Sequence, residues 1–281
     1  MQLIHSTVAL REALGGHKTP RKNIVLVPTM GNLHAGHISL IDLAKQHGDT
    51  VVSSIFVNPL QFGAGEDFGR YPRTLEADCA QLEAAGCDIV FAPDAAEVYP
   101  EPQTFIVQPP LADELCGAFR PGHFAGVCTV VLKLFNMVQP TCAVFGKKDY
   151  QQLFILRGLV RQFNLPIRVI AGETGRAQDG LALSSRNGYL SSSERMKAAR
   201  LHGSLQSVAT QLTHTGTDIA QLEQRAAADL TEHGWRVDYI SVRNQHTLLP
   251  PKPEDRDLVV LGAAHLGHTR LIDNLEISLT G

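Results

Sequence analysis

The stretch from residue 24 to residue 44 constrains the fold more than any other part of the chain. It begins with an apolar run at 24–27 and continues through a turn at 28–37 (PTMGNLHAGH). It ends in a segment, 38–44, whose apolar positions repeat with a helical period. The pattern predicts strand, turn and helix in succession. In such a unit the helix N-terminus lies at the carboxyl end of a parallel strand, where its N–H groups and dipole favour a bound anion.

The turn carries two glycines and two histidines. Gly31 and Gly36 let the backbone approach a ligand closely, and His34 and His37 are three residues apart, so on the first helical turn they point toward the same side. Two imidazoles there can hydrogen-bond phosphoryl oxygens and offset charge at a phosphorus centre. The predicted chemistry is attack on a nucleotide α-phosphate. The alternatives are a surface turn with ordinary histidines and a two-histidine metal site.

The same His-x-Gly-His spacing occurs again at residues 265–268 (HLGH). Its flanks, 258–261 and 269–272, are both strand-like, so no helix dipole is available there. We therefore predict a strand, a turn and a strand without a site. The first occurrence, by contrast, resembles the signature of the nucleotidylyl transferase superfamily, which includes the class I aminoacyl-tRNA synthetases.

The order of predicted elements indicates an α/β protein with two domains. Strands and helices alternate up to about residue 172, which predicts a Rossmann-like parallel sheet with helices on both faces, in a domain of residues 1–176. Later, helices precede strands, which predicts a smaller C-terminal α+β lid domain of residues 177–281. The predicted helices are 74–85, 123–138, 153–163, 193–212 and 217–232, and the further predicted strands are 51–57, 88–93, 143–145, 166–171, 235–243, 257–262 and 269–277.

Composition excludes several classes of partner. The 281 residues include 25 Lys and Arg against 28 Asp and Glu, so the chain lacks the basic footprint that nucleic-acid binding usually needs. Five widely spaced cysteines without a Cys-x-x-Cys pair indicate buried thiols in a reducing compartment. With no apolar run of the roughly 18 residues that a membrane-spanning helix needs and no leader pattern, we expect a soluble cytoplasmic protein.

Two polar segments are candidates for binding an organic acid. Asn58 and Gln61 come just after a predicted strand, where open α/β sheets bind ligands, and their amides can hold a carboxylate or hydroxyls. The alternative is that they form a turn or cap a helix. Arg120, in residues 119–124 (FRPGHF), suits bidentate binding of a carboxylate or phosphate, with a surface arginine in a turn as the alternative.

Two further segments are candidates for binding phosphates. Lys147 and Lys148 lie at a predicted strand-to-helix junction, from which a lysine can reach nucleotide phosphates. The alternative is a solvated charged pair, with Asp149 capping the next helix. Residues 183–190 (LSSRNGYL) lie where the two domains join, and their hydroxyls and Arg186 would neutralise a triphosphate as pyrophosphate leaves. The alternative is a polar linker.

Taken together, the motifs resemble the pantoate–β-alanine ligase (pantothenate synthetase) family over nearly the whole chain. The blocks that carry the resemblance are 28–37, 56–62 (FVNPLQF), 119–124, 148–152 (KDYQQ), 184–187 (SSRN) and 269–274 (TRLIDN). The resemblance implies condensation of (R)-pantoate with β-alanine through a pantoyl adenylate, with ATP as co-substrate, Mg²⁺ as cofactor and pyrophosphate and AMP as products. It also implies a homodimer formed through the larger domain.

The resemblance also implies roles for individual residues. His37 is the principal catalytic residue, assisted by His34, Lys148 and Arg186. The residues expected to bind ATP are Met30, Gly31, Asn32, Leu33, His34, Ala35, Gly36, His37, Gly146, Lys147, Lys148, Asp149, Gly175, Leu183, Ser184, Ser185 and Arg186. The residues expected at the pantoate and β-alanine site are Asn58, Gln61, Arg120, His123 and Gln152. No ligand of magnesium and no base for the β-alanine amine is identified.

Three positions depart from the family pattern. Lys147 stands where the family usually has Glu, and we expect its side chain to point away from the nucleotide. Leu183 replaces a common Met, and Gly175 begins a Gly-Arg-Ala run where the family has Val-Arg-Glu. These departures concern nucleotide affinity rather than reaction type. Two other functions remain open, namely a nucleotidylyltransferase acting on a phosphorylated acceptor and a non-catalytic nucleotide-binding relative.

Overall fold

A computed structural model describes residues 1–15, 23–214 and 218–279 of the chain. The chain forms two compact units. The first comprises Met1–Gly146 and Gln152–Glu173, and the second comprises Lys147–Gln151 together with the chain from Thr174 onward. The second unit therefore consists of two stretches of the chain, the first of five residues and the second from Thr174 onward. Within the described residues, no helix combines the length and the apolar character that crossing a bilayer requires.

The first unit is built on a parallel sheet, as the alternation of strands and helices predicts. Its described strands lie in the order β1-β4-β3-β2-β5-β6. They are β1 Gln2–Ile4, β2 Ile24–Thr29, β3 Thr50–Ile55, β4 Ile89–Phe91, β5 Cys142–Gly146 and β6 Arg168–Gly172. The helices between them are α1 Thr7–Gly15, α2 Ala35–Lys45, α3 Leu75–Ala84, α4 Ala95–Val98, α5 Cys116–Phe119, α6 His123–Val138 and α7 Tyr150–Gln162.

Both faces of this sheet are covered because successive residues of a strand point to opposite sides. Val25 and Val27 of β2 join a core cluster with Ile41 of α2. Leu26, between them, joins a second cluster with side chains of α1, α6 and α7. The continuous apolar run of β2 is thus explained by burial on both faces.

Two helices in the first unit begin three residues earlier than predicted. Helix α2 begins at Ala35, so the histidine turn forms its N-terminus and does not precede it. Helix α7 begins at Tyr150, three residues earlier than predicted, and follows directly on a 3₁₀ turn at Lys147–Asp149. Charged residues after a strand are typical of a loop, which is why the prediction placed the start of α7 too late. A 3₁₀ turn before the helix lets the chain tighten directly into its first turn.

The second unit packs helices on an antiparallel sheet in the order β7-β8-β9. Its elements are α8 Ser192–Lys197, α9 Arg200–Leu212, α10 Ile219–Glu232, β7 Trp235–Asn244, β8 Asp257–Leu266 and β9 Thr269–Ser278. The single helix predicted at 193–212 is wrong, because the chain turns at the fully buried Ala198 and forms two helices. The predicted start of the next helix, residue 217, lies outside the described residues. The second His-x-Gly-His occurrence joins β8 to β9, as predicted.

A close approach in the first unit shapes the loop after β3. The 3₁₀ turn Pro59–Gln61 packs on α6 at Gly126, where an added Cβ would overlap the carbonyl of Leu60 and lie 2.7 Å from the nitrogen of Gln61. Only glycine lets the two backbones approach so closely. The position of Gln61 therefore depends on the absence of a side chain at residue 126.

We predict that Gly126→Ala lowers the free energy of unfolding by about 1–3 kcal/mol, because the new methyl group must displace the loop. Gly158→Ala on α7 is the matched control, because a Cβ there meets nothing within 4 Å. That change should be neutral or stabilise by up to about 1 kcal/mol. Urea denaturation compares the two variants, and equal effects would contradict the assigned packing.

Candidate active site

The candidate site in the first unit lies at the point where the strand order reverses. From β2 the chain moves outward through β3 and β4, and it then returns to place β5 on the other side of β2. In open α/β sheets, ligands bind outside the carboxyl ends of the strands at such a reversal. The His-x-Gly-His turn follows β2 at this edge, and Asn58 and Gln61 follow its neighbour β3.

The two histidines form the N-cap of α2. His34 is the cap residue, with φ −140° and ψ 172°, and its Nδ1 accepts the N–H of Gly36 at 3.1 Å. The Nδ1 of His37 accepts the N–H of His34 at 3.3 Å, and the ring centroids are 4.0 Å apart. The prediction that the rings lie side by side is confirmed. Because each Nδ1 is an acceptor, the neutral rings carry their proton on Nε2.

Asn58 and Gln61 form one buried amide network. The Nδ2 of Asn58 donates to the Oε1 of Gln61 at 3.2 Å and to the carbonyl of Gly126 at 3.1 Å. Its Oδ1 accepts the N–H of Leu60 and the hydroxyl of Tyr99. Asn58 is 1% exposed, and these bonds use its whole donor and acceptor capacity. The predicted alternative that Asn58 caps a helix is confirmed, since it is the N-cap of the Pro59–Gln61 turn.

This network orients Gln61 toward the histidine turn. Because its Oε1 accepts from Asn58, its Nε2 lies at the opposite end of the amide, 3.0 Å from the Sδ of Met30. Tyr99 stabilises the arrangement from α4, and burial raises the pKa of its phenol. The structure therefore brings together Met30, predicted to bind ATP, and Gln61, predicted to bind pantoate.

Arg120 and His123 also contact the loop after β3, which carries Gln61. The guanidinium of Arg120 is bidentate on Glu66, with Nε–Oε1 2.8 Å and Nη2–Oε2 2.7 Å. Its Nη1 is 2.9 Å from the Nε2 of His123. The Nδ1 of His123 in turn lies 2.8 Å from the carbonyl oxygen of Gln61. Arg120 is thus not the surface arginine of the alternative prediction, and Glu66, 54 residues away, was not predicted at all.

In the second unit, β9 holds the segment that carries Lys148. The Nδ2 of Asn274 donates to the carbonyls of Lys147 and Lys148, both at 2.9 Å. The Nζ of Lys147 pairs with Glu276 at 2.7 Å, and the hydroxyl of Tyr150 donates to the same carboxylate. The side chain of Lys147 is therefore directed to the sheet. The TRLIDN block was the only sequence signal for this arrangement.

The loop at 175–186 is attached to the same strand. The N–H of Leu183 donates to the carbonyl of Gly175 at 2.8 Å, so two of the departures from the family pattern face each other. Next to them, Arg176 is bidentate on Asp273 at 2.7 and 2.9 Å. Burial would raise the pKa of Asp273, but bonds from His202 and Arg176 outweigh it and hold that pKa below its ordinary value.

The remaining predicted residues lie as follows. Ser184 caps the 3₁₀ turn Ser185–Tyr189 by accepting the N–H of Arg186. Gln152 lies in the first turn of α7, in the first unit, whereas Lys148 and Asp149 belong to the second unit. Among the described residues, no group of three or more His, Cys, Asp and Glu side chains is arranged to hold a metal ion.

Comparison with known proteins gives consistent results. A family profile described as pantoate–β-alanine ligase matches residues 2–276. The pantothenate synthetase of Thiobacillus denitrificans is 58% identical over 99% of this chain and 98% of its own length. That of Neisseria meningitidis serogroup C is 55% identical over 99% of this chain and all of its own.

Solved structures agree. The crystal structure of pantothenate synthetase from Thermus thermophilus has a TM-score of 0.92 at 43% identity, covering 99% of this chain and all of that one. The pantoate–β-alanine ligase of Francisella tularensis, solved in complex with β,γ-ATP and β-alanine, has a TM-score of 0.82 at 32% identity, covering 100% and 99% of the two chains.

The ion pair between Lys147 and Glu276 gives a direct prediction. Lys147→Glu places two carboxylates together, so we expect Tm to fall by about 1–3 °C, the size expected of one partly exposed pair. Glu276→Lys should have a similar effect, and the exchanged double variant should recover most of the loss. Thermal unfolding of the four proteins measures the coupling. Additive losses in the double variant would show that the pair contributes nothing.

Proposed function

The chain belongs to the pantoate–β-alanine ligase family and is an ATP-dependent enzyme, and we propose how its residues carry out the two steps of the reaction. In the first step a carboxylate oxygen of pantoate attacks the α-phosphorus of ATP, and the bond to the bridging oxygen breaks to release pyrophosphate. In the second step the amine of β-alanine attacks the acyl carbon of the pantoyl adenylate, and AMP leaves. Activation thus replaces a poor leaving group, oxide, with AMP.

The histidine pair at the start of α2 is the observation that carries the proposal. The first step brings two anions together, so it needs fixed donors aimed at the phosphate. With both Nδ1 atoms accepting backbone N–H groups, His34 and His37 present Nε2–H donors beside a helix N-terminus. We assign these donors to the α-phosphate, with His37 as the principal catalytic residue. The rest of the turn, Met30–Gly36, contacts the nucleotide.

Gln61 is one of two residues of the first unit that we assign to pantoate. Its Nε2 has a second N–H besides the one directed to Met30, and a hydroxyl or carboxylate of pantoate can accept it. Asn58 acts through Gln61, because its own amide is saturated. Arg120 and His123 act on the Gln61 backbone from the other side, supported by Glu66. Gln152, at the start of α7, is assigned to pantoate by the family resemblance.

The second unit supplies the groups that we assign to the triphosphate. They are Lys148 on the 3₁₀ turn, which Asn274 fixes, and Ser184, Ser185 and Arg186 on the loop that begins at Leu183. The resemblance assigns Asp149, which follows Lys148 on the same turn, to the ribose. The resemblance adds Gly146 of the first unit and Lys147 and Gly175 of the second to the ATP site, with Gly175 at the adenine and with the side chain of Lys147 paired to Glu276. We propose that residues 177–281 act as a lid. Substituting the assigned residues of one unit at a time tests whether both units contribute to the reaction.

We propose that magnesium binds together with ATP. Mg²⁺ typically uses phosphate oxygens and water with one or two carboxylates, so a cluster of three protein ligands is not required. When bound, the ion would neutralise phosphate charge during the first step.

We further propose that the protein is a cytoplasmic homodimer. None of the five cysteines, each in the described part of the chain, is in a disulfide, and burial raises the pKa of Cys87 to about 11 and of Cys128 to about 12.

The experiment that tests the function measures pyrophosphate with ATP, Mg²⁺ and pantoate, before and after β-alanine is added. We expect a pantoate-dependent burst that becomes steady turnover with β-alanine, giving pantothenate and AMP. Consumption of a phosphorylated acceptor in place of pantoate would identify a nucleotidylyltransferase. ATP binding without turnover in any combination would identify a non-catalytic relative.

The role of His37 has a control within the chain. We predict that His37→Ala lowers the rate of pyrophosphate release by about 100-fold or more, because a preorganised donor to the phosphate is lost. His268→Ala removes the exposed last histidine of the second His-x-Gly-His occurrence and should leave that rate unchanged. Circular dichroism verifies that both variants fold. Near-normal release from folded His37→Ala would remove His37 from its assigned role.

A further inference from the structure

A buried carboxylate holds the turn that carries the two histidines. Asp78, on α3, is 1% exposed. Its Oδ2 accepts the N–H of Asn32 at 2.9 Å, and its Oδ1 accepts the N–H of Leu33 at 2.8 Å. The hydroxyl of Thr74 donates to Oδ2 at 3.1 Å. Both oxygens of one carboxylate thus bind consecutive backbone amides of a segment 45 residues away in sequence.

The backbone of this turn needs such support. Gly31 and Asn32 both have left-handed conformations, with φ 82° and 51°, and a non-glycine residue in that region is strained. Two consecutive N–H groups that converge on one anion stabilise this shape. The approach is also close, because a Cβ at Gly31 would lie 3.0 Å from the Oδ2 of Asp78.

The charge of Asp78 argues for a geometric role. A buried carboxylate is costly unless it is fully hydrogen-bonded, and here it has three donors. A negative charge next to a turn that binds phosphate contributes no attraction to the ligand. What Asp78 contributes is the position of Leu33, whose neighbour His34 caps α2 and donates its N–H to His37.

We propose that Asp78 is a positioning residue that fixes the orientation of both imidazoles through the backbone of Asn32 and Leu33. The inference rests on the role proposed for the histidines. It adds to the reaction a residue of α3 that acts through the backbone of the turn and not by binding ATP, pantoate or β-alanine. If Asp78 is lost, the turn relaxes and the cap at His34 shifts. The two Nε2–H groups then no longer point toward the same position.

The test compares Asp78→Asn with Glu76→Gln, which removes an exposed charge from the first turn of the same helix. We expect Asp78→Asn to lower kcat for pantoate-dependent pyrophosphate release by about 10- to 100-fold, the effect of losing a bond to a charged group at the turn. The kcat/KM for β-alanine should not change, because the turn acts in the first step. Glu76→Gln should match the unsubstituted protein.

Amide NMR distinguishes positioning from stability alone. In Asp78→Asn the amide protons of Asn32 and Leu33 should shift upfield, with changes at His34 and His37, while the signals of β7–β9 stay in place. A folded Asp78→Asn protein with lower Tm but normal kcat well below that Tm would overturn the proposal. If Asp78→Asn does not fold, Thr74→Val provides the test. It removes one donor and should lower kcat about 2- to 5-fold, and an unchanged kcat in that variant would overturn the proposal as well.

The outcome is separable from that of the proposed function. If His37→Ala is inactive and Asp78→Asn is as active as Glu76→Gln, only the positioning role is wrong. If His37→Ala retains activity, the role of the histidines is wrong whatever Asp78→Asn does.

Discussion

Two backbone N–H groups at the start of α2 are accepted by imidazole nitrogens, and the chemistry assigned to this protein depends on that arrangement. Serine, threonine, aspartate or asparagine usually satisfies such groups. Here His34 and His37 do so, which fixes each ring and directs its remaining N–H away from the cap. We propose that the helix N-terminus and the two donors bind the same anion, so that the groups which cap the helix also serve the reaction.

Polar residues from neighbouring elements hold the groups that we assign to the substrates. Asn58 and Tyr99 set the amide of Gln61, and Glu66 and Arg120 support its backbone through His123. In the second unit Asn274 holds the turn that carries Lys148 by donating to its backbone. Such supporting shells restrict rotamers and backbone shifts, which matters because small misplacements of reacting groups cost large factors in rate. The departure at Lys147 fits this view, since its new charge is matched by Glu276.

The sequence predicted those parts of the structure whose cause is local. The strand, turn and helix around the histidines, the bounds of α6 and the absence of a helix after the second His-x-Gly-His all follow from periodicity and turn chemistry within a few residues. The three-residue strand β1 could not be predicted, because it exists only through pairing with β4. Nor could the pairing of Arg120 with Glu66 or the contacts of Asp78 with the turn, since each joins residues more than 40 positions apart. Periodicity predicted the helix at 74–85 but gave no reason to single out one carboxylate within it.

The proposed roles of His34 and His37 require both neutral imidazoles to carry their proton on Nε2. The most direct measurement is a long-range ¹H–¹⁵N correlation spectrum of protein labelled with ¹⁵N-histidine, recorded well above the ordinary histidine pKa of about 6.5. His34 and His37 should each give an unprotonated Nδ1 and a protonated Nε2, and both Nε2 signals should move when a non-hydrolysable ATP analogue binds. A protonated Nδ1 on either ring, or Nε2 signals that ignore the nucleotide, would contradict the account.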